Sequence, residues 1–305
     1  MLDKNDCTIL VCSCDSYEDA WYPFFNLLRK FWPGCPYDII LNTESKEYSY
    51  DGLNIRCLQK YIGRTVPYGE RMIAHIQEIK TPFTIVLMDD FFIRRTVNEE
   101  EIEKVINWLK CDERAVTFSF QAIQDELNTS SEKYPGYNKR PVYGEYKYNF
   151  QAAVWKTEYL LKSWKRHETP WEWETLANFR SFNDKYDFYA IQSDENTPID
   201  YGFRNSGMGI FRGKWVVDSV DDLFKENGID IDYAIRGTYS LKDKNTVRMV
   251  KTDRLTREIR SMRSIGLLTY VSHLLWRIGR QIKKSAGLPV PQDWIAYKRE
   301  EERKT

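Results

Sequence analysis

The chain has 305 residues, 42% of them apolar, and its 45 basic side chains balance 45 acidic ones. That length supports one large or two ordinary domains, and the even charge excludes the basic signature of a nucleic-acid binder. Six cysteines with no Cys-x-x-Cys pair, and three scattered histidines, argue against structural zinc. Free thiols in a chain of this size suit a reducing compartment. Met1 to Asp6 is polar and does not read as a signal peptide. No run of about 18 apolar residues is present, so no membrane span is expected.

Cys7 to Ser13 is a short apolar run and reads as a central strand. A turn at Cys14–Tyr17 follows, where Asp15 or Ser16 can cap a helix from about Tyr17 to Phe31. Tyr37–Leu41 and Leu53–Leu58 read as strands, separated by the polar loop Asn42–Ser45. Pro67 opens a helix over Tyr68–Ile79. Phe83–Met88 is a fourth strand, and it ends in the adjacent carboxylates Asp89 and Asp90. Glu99–Leu109 is a helix and Ala115–Phe120 a strand. Strands alternating with helices at this spacing predict an α/β domain with a mostly parallel sheet flanked by helices. Such sheets hold ligands beyond the carboxyl ends of their strands. The loops at Cys14–Asp15, Asn42–Glu44 and Asp89–Asp90 should therefore converge.

Gln121–Tyr148 is polar and tyrosine-rich and reads as a long loop with a lid-like role. Phe150–Lys156 is apolar apart from Gln151, Thr157–Arg166 is helical, and another helix starts near Thr169–Pro170. Asp200–Val217 holds short strands broken by glycines, and Ser219 caps a helix to Glu226. Lys251–Lys284 differs: its nine cations face only Asp253 and Glu258, and apolar residues recur at helical spacing. It reads as a pair of basic amphipathic helices joined near Gly266. The division is thus a domain over 1–250 and a helical extension over 251–305.

Two adjacent carboxylates repel each other unless a cation or strong donors lie between them. Mg or Mn takes oxygen ligands and binds one or two carboxylates together with substrate phosphates. Asp89–Asp90 at a strand end is read this way, against a solvated turn or helix cap. The segments VCSCDSYEDAWYPFFNLLRKFWP, IILNTE, ERMIAHI, VLMDDFF, FQAAVWK and PWEWE, in that order, span about the first 180 residues, and FRGKW extends them to about 215. In this set the chain resembles nucleotide-sugar-dependent glycosyltransferases of the GT-A (Rossmann-like) fold. Within them it is most similar to bacterial proteins from surface-polysaccharide gene clusters of capsule or O-antigen type. The family's Asp-X-Asp metal motif is altered here. Phe91 follows the pair, so only Met88-Asp89-Asp90 aligns, with Asp90 in the metal place.

The resemblance implies a divalent cation (Mn or Mg) at Asp90 and a nucleoside diphosphate sugar as donor. Cys14, Asp15 and Tyr17 would receive the base, Asn42 and Thr43 the pocket's other side, and Arg71, Asp89 and Lys214 the phosphate end. Asp15 could equally be a helix cap, Arg71 a partner of Glu70 or Glu78, and Lys214 part of a basic turn. Glu174 or Glu172 would be the base for the acceptor hydroxyl. Glu174 is favoured, because Glu172 suits the first turn of a helix electrostatically. Gln151, Trp171 and Trp173 would contact the acceptor, with core tryptophans as the plainer account. The expected activity is inverting hexosyl transfer to a polyprenol-linked or oligosaccharide acceptor. The expected location is cytoplasmic, peripheral on the inner face of the membrane, with the basic helices on anionic lipid, on the domain core or on a second subunit as a homo-oligomer. A nucleotidyltransferase and a non-catalytic membrane-recruited scaffold are the alternatives. The first is disfavoured because SCDSYED has neither glycine nor cation for a phosphate loop.

Overall fold

A computed structural model describes residues 2–125, 127–142, 144, 146–181, 184–202 and 207–242, with Val271, Leu275, Ile278, Gly279, Ile282, Ser285 and Ala286. In chain order the elements are β1 (Cys7–Cys12), a 3-10 turn (Asp15–Tyr17), α1 (Glu18–Phe31), β2 (Asp38–Leu41), β3 (Ile55–Cys57), α2 (Tyr68–Gln77) and β4 (Phe83–Met88). Then come α3 (Glu99–Cys111), β5 (Ala115–Ser119), β6 (Thr129–Ser130), β7 (Tyr137–Lys139), β8 (Ala153–Lys156), α4 (Thr157–Ser163) and α5 (Pro170–Arg180). The last are β9 (Asp187–Ile191), β10 (Ile210–Phe211), β11 (Lys214–Val216), α6 (Val217–Glu226) and β12 (Thr238–Tyr239).

Nine strands form one sheet in the order β3-β2-β1-β4-β8-β5-β9-β7-β6, and β10-β11-β12 form a second. The expectation of a mostly parallel sheet is corrected. β3, β2, β1 and β4 run parallel, as do β5 and β9. β8, however, returns between β4 and β5 antiparallel to both, and β7 pairs antiparallel with β6 and β9. The sheet is mixed because the chain after β5 re-enters its middle from the carboxyl edge.

β1 and β4 are buried along nearly their whole length because helices cover both faces. Ile9, Val11, Ile85 and Leu87 pack under α1, α3 and α6 on one side. Leu10, Ile40 and Val86 pack with Met72, Ile76, Leu160 and Trp173 from α2, α4 and α5 on the other. On α3, Ile102, Val105, Ile106 and Leu109 recur at helical spacing and are buried, each contributing about 1.5–3 kcal/mol. Asn98 caps that helix by accepting from the Glu101 N–H at 3.1 Å.

Other expectations also shift. The first helix begins at Glu18 without a side-chain cap; Asp15 is engaged elsewhere. Gln121–Tyr148 is not a free loop: it carries β6 and β7, and Tyr134, Tyr137 and Tyr148 are buried at 1%, 1% and 2% exposure. Those tyrosines are core, not lid. Ser219 lies inside α6 rather than at its cap, and its carbonyl and hydroxyl accept from Arg94. β9 and β12 were not expected. The boundary at 250/251, the join at Gly266 and most of the predicted basic helices lie outside the described residues.

Candidate functional site at the carboxyl edge of the sheet

The first functional side chains stand where β1 and β4 end side by side, with Cys12 opposite Met88. Ser13, the next residue after β1, donates its hydroxyl to the Asp89 carboxylate. Ser13 Oγ in turn accepts from the Trp21 indole N–H at 2.7 Å. Asp89 is only 2% exposed, and burial, reinforced by the Asp90 charge, pushes its pKa well above the usual carboxylate range. Asp89 therefore faces inward and supports the strand end. The expected contact between Asp89 and a donor is corrected on this ground.

Asp90 is different. It is half-buried, and its Oδ1 is enclosed without a hydrogen-bond partner. Burial raises its pKa to about 7, opposed by a hydrogen bond from its own backbone N–H and by the Arg236 charge. Its carbonyl accepts from Gly209 N–H at 2.8 Å. A side chain at position 209 would put its Cβ 2.9 Å from that carbonyl and 2.2 Å from the Phe92 ring, so only glycine allows the approach. Among the described residues no group of three or more His, Cys, Asp or Glu could hold a metal. What Asp90 offers is one carboxylate with an unused oxygen. This fits a hydrated Mg or Mn ion that completes its shell from phosphate oxygens and water, and not a dedicated protein cage.

The β1 and β2 ends are stitched together. The Asp15 carboxylate accepts from the N–H groups of Glu44 at 2.8 Å and Ser45 at 3.0 Å, and from the Ser45 hydroxyl at 2.6 Å. Its own N–H donates to Glu44 Oε2 at 2.6 Å. Glu44 Oε1 pairs with Arg71, and Arg71 also donates to the Ser13 carbonyl at 3.1 Å. The guanidinium lies 5.0 Å from the Tyr68 ring centroid and is nearly enclosed; burial pushes its pKa down. So Asp15 is spent on a turn rather than left to accept from a base, and Arg71 is a buried clamp rather than an open phosphate contact. Asn42 and Thr43 are both 0% exposed. The Asn42 amide donates to Met72 Sδ at 2.8 Å, so these two form the floor and not a pocket wall. Cys14 is half-buried, with Sγ 3.0 Å from Ser16 Oγ.

Tyr17 is brought to the acidic pair. Burial and the charges of Asp90 and Asp89 raise its pKa. Over its ring, 4.5 Å from the centroid, stands the Arg236 guanidinium. Arg236 also forks onto Asp19, with Nε 2.8 and 2.6 Å from the two carboxylate oxygens, and donates to the Ser16 carbonyl at 2.5 Å. It faces both Asp89 and Asp90 electrostatically. This cation was missed from the sequence, where it follows an isolated Ile235 and has no motif around it. Lys214, the expected cation, is exposed and its ammonium lies 5.2 Å from the Tyr239 ring centroid. Arg236, next to Gly237 whose carbonyl accepts from Trp215 N–H at 3.0 Å, faces both acids, while Arg71 acts on Asp89 from its buried clamp.

The opposite rim comes from β8. Val86 sits opposite Ala153 in antiparallel register, so Gln151, two residues earlier, comes level with the last residue of β4. Gln151 is half-buried and its Oε1 is enclosed without a partner. Glu174, on α5, accepts from the Phe150 N–H at 3.1 Å and so reaches the same edge. Glu172 does not: it forms a capping box with Thr169, accepting from the Thr169 N–H at 2.9 Å. Its expected role as base is corrected. Trp173 is 1% exposed, stacks on Trp164 at 4.8 Å, and donates to Ser163 Oγ at 2.9 Å. It is core, not an acceptor platform. Trp171, at the start of α5, is 52% exposed.

Cys14, Tyr17, Asp90 and Arg236 are thus half-buried residues that act on one another at the carboxyl edge, and half-buried Gln151 and Glu174 stand at the β8 side of that edge. A cavity of about 300 Å³ lies elsewhere, between the start of α3 and β7, lined by Arg95, Asn98, Glu101, Tyr137 and Thr197 among others, and by none of these six.

No protein-family model matches the chain, and no curated protein does. Solved structures similar to it include S. aureus TarS 1–349, at 13% identity over 62% of this chain and 61% of that one, with TM-score 0.36. The same fragment in complex with UDP-GlcNAc gives 11%, 61% and 58% with TM-score 0.38. In complex with UDP it gives 12%, 61% and 60% with TM-score 0.40. The match spans about three fifths of the length of those structures. Likeness at this level leaves the function to the chemistry of the site.

Proposed function

We propose that this chain is a glycosyltransferase that moves one hexosyl group from a nucleoside diphosphate sugar to a lipid-linked or oligosaccharide acceptor, with inversion, in bacterial surface-polysaccharide assembly. The observation that carries this reading is Asp90. Its carboxylate has an enclosed oxygen without a partner, at the end of a central strand, facing Arg236. A group so placed is costly to the empty fold and is used when a cationic centre arrives.

The donor diphosphate is received between Asp90 and Arg236. Asp90 is the residue that would hold a Mn or Mg ion, and such an ion, when bound, would supply positive charge for the departing diphosphate. Arg236, with a planar fork suited to phosphate, exchanges Asp19 for diphosphate oxygens. The nucleoside lies against Cys14 and Tyr17, on a loop held rigid by the Asp15–Glu44–Arg71 network. Glu174 takes the proton from the acceptor hydroxyl as that oxygen attacks the anomeric carbon. Gln151 donates to or accepts from sugar hydroxyls, and exposed Trp171 offers a stacking face to the acceptor.

The test is release of nucleoside diphosphate from a panel of nucleotide sugars by the full-length chain. Asp90→Asn and Glu174→Gln should lose turnover and keep the melting temperature of the parent or exceed it. Release of pyrophosphate from a nucleoside triphosphate supplied with a sugar phosphate, with no turnover of the nucleotide sugars, would make the chain a nucleotidyltransferase. Wild-type turnover by Asp90→Asn would remove Asp90 from the site.

A further inference from the structure

Beyond the sheet, the described residues include part of a helix near the carboxyl end. Val271, Leu275, Ile278 and Ile282 are helical and spaced by four, three and four, so they lie in one stripe. They are exposed at 38, 62, 47 and 63%. Four aliphatic side chains in line, all open to solvent, form a face that the described part of the fold leaves without a partner. The surrounding sequence is one-signed. From Glu258 to Asp293 no acid intervenes, while Arg260, Arg263, Arg277, Arg280, Lys283 and Lys284 all fall within that stretch. The whole chain is neutral, so this is a local concentration of charge. Among the described residues no helix is long and apolar enough to cross a membrane.

We propose that this stripe is a docking surface for an anionic lipid bilayer, with the aliphatic residues in the acyl boundary and the cations among the headgroups. The charge decides between occupants. A second copy of the chain would double a one-signed charge on this segment, whereas an anionic leaflet offers it the opposite charge. An apolar stripe alone would suit either.

The experiment is co-sedimentation of the full-length chain with vesicles of phosphatidylcholine, or of phosphatidylcholine mixed with phosphatidylglycerol. No nucleotide is added, so failure here is separate from failure of the transferase reading. The chain should sediment with the mixed vesicles, not with pure phosphatidylcholine, and less so as salt rises. Arg280→Gln/Lys284→Gln should lower the partition coefficient about thirtyfold, at about fivefold per cation. Leu275→Ser/Ile282→Ser should also lower it with the charge intact. Both variants are compared at a melting temperature matching the parent. Equal binding to both vesicle types, or no binding to either, overturns the proposal. So does a dimer in sedimentation velocity that Leu275→Ser/Ile282→Ser dissolves while vesicles are ignored.

Discussion

The Arg71–Glu44 pair makes a directional prediction. The Arg71 side chain is 4% exposed and the Glu44 side chain 32%, so the two ends of the pair live in different solvents. Glu44→Gln leaves a guanidinium enclosed with one carbonyl acceptor, Ser13, and the Tyr68 ring. It also sets an amide against two donors, Arg71 and the Asp15 N–H, of which its single oxygen can serve only one well. Breaking a fully buried pair from one side costs about 3–5 kcal/mol. Partial exposure of Glu44 screens the pair, so about 2–3 kcal/mol is expected here. Arg71→Met keeps the apolar stem and removes the charge that needed burial. Glu44 then stays partly solvated and retains the Asp15 N–H, and the loss is about 1–2 kcal/mol. The double variant should resemble Arg71→Met, not the sum. Equilibrium urea denaturation followed by tryptophan fluorescence measures all three. If Arg71→Met is as costly as Glu44→Gln or more so, burial asymmetry does not govern this clamp and the reasoning fails.

Three further outcomes follow from the same geometry. His75 is 0% exposed, and burial lowers its pKa to about 4, assisted by Arg71 and Lys60 and opposed by its bond to the Arg71 carbonyl and by Glu78. The unfolded chain binds the proton near pH 6.5 and the fold does not until about 4, so stability falls as pH drops through that window, by about 3 kcal/mol in all. His75→Gln should flatten this fall in urea titrations between those limits, and an unchanged slope would contradict it. Glu172→Gln should keep both fold and turnover, since Gln also completes a capping box, whereas Glu174→Gln should slow turnover by about 10²–10⁴; the reverse pattern exchanges the two roles. Trp173→Ala should cost about 3–5 kcal/mol in the same denaturation assay, and a loss below about 1 kcal/mol would place that ring outside the core.

Much of the parallel half was legible because buried strands announce themselves locally. CTILVC and FTIVLM are continuous apolar runs, and the acidic pair could be placed at a strand end from them alone. β8 could be seen as apolar but not oriented, because its direction is decided by partners far away in sequence, β4 and β5. β9 carries only a four-residue apolar run, Phe188–Ile191, directly after the charged stretch Asp184–Asp187, and is too short to stand out as a strand by itself. Tyr134, Tyr137 and Tyr148 read as part of a lid-like loop because the polar stretch around them hid that their rings turn inward. Thr169-Pro-Trp-Glu172 is itself a capping-box pattern, so the structural use of Glu172 was there to be read. Arg236 was not: it reaches Asp19, 217 residues earlier, and only the folded chain puts them together.

The most direct test of the central claim is calorimetric titration of nucleoside diphosphates, with and without Mn, into the parent chain and Asp90→Asn. The account predicts that at least one base binds to the parent, more tightly with Mn, and that Asp90→Asn abolishes the Mn-dependent gain while folding normally. No heat from any nucleotide, or an identical Mn dependence in both proteins, would contradict it.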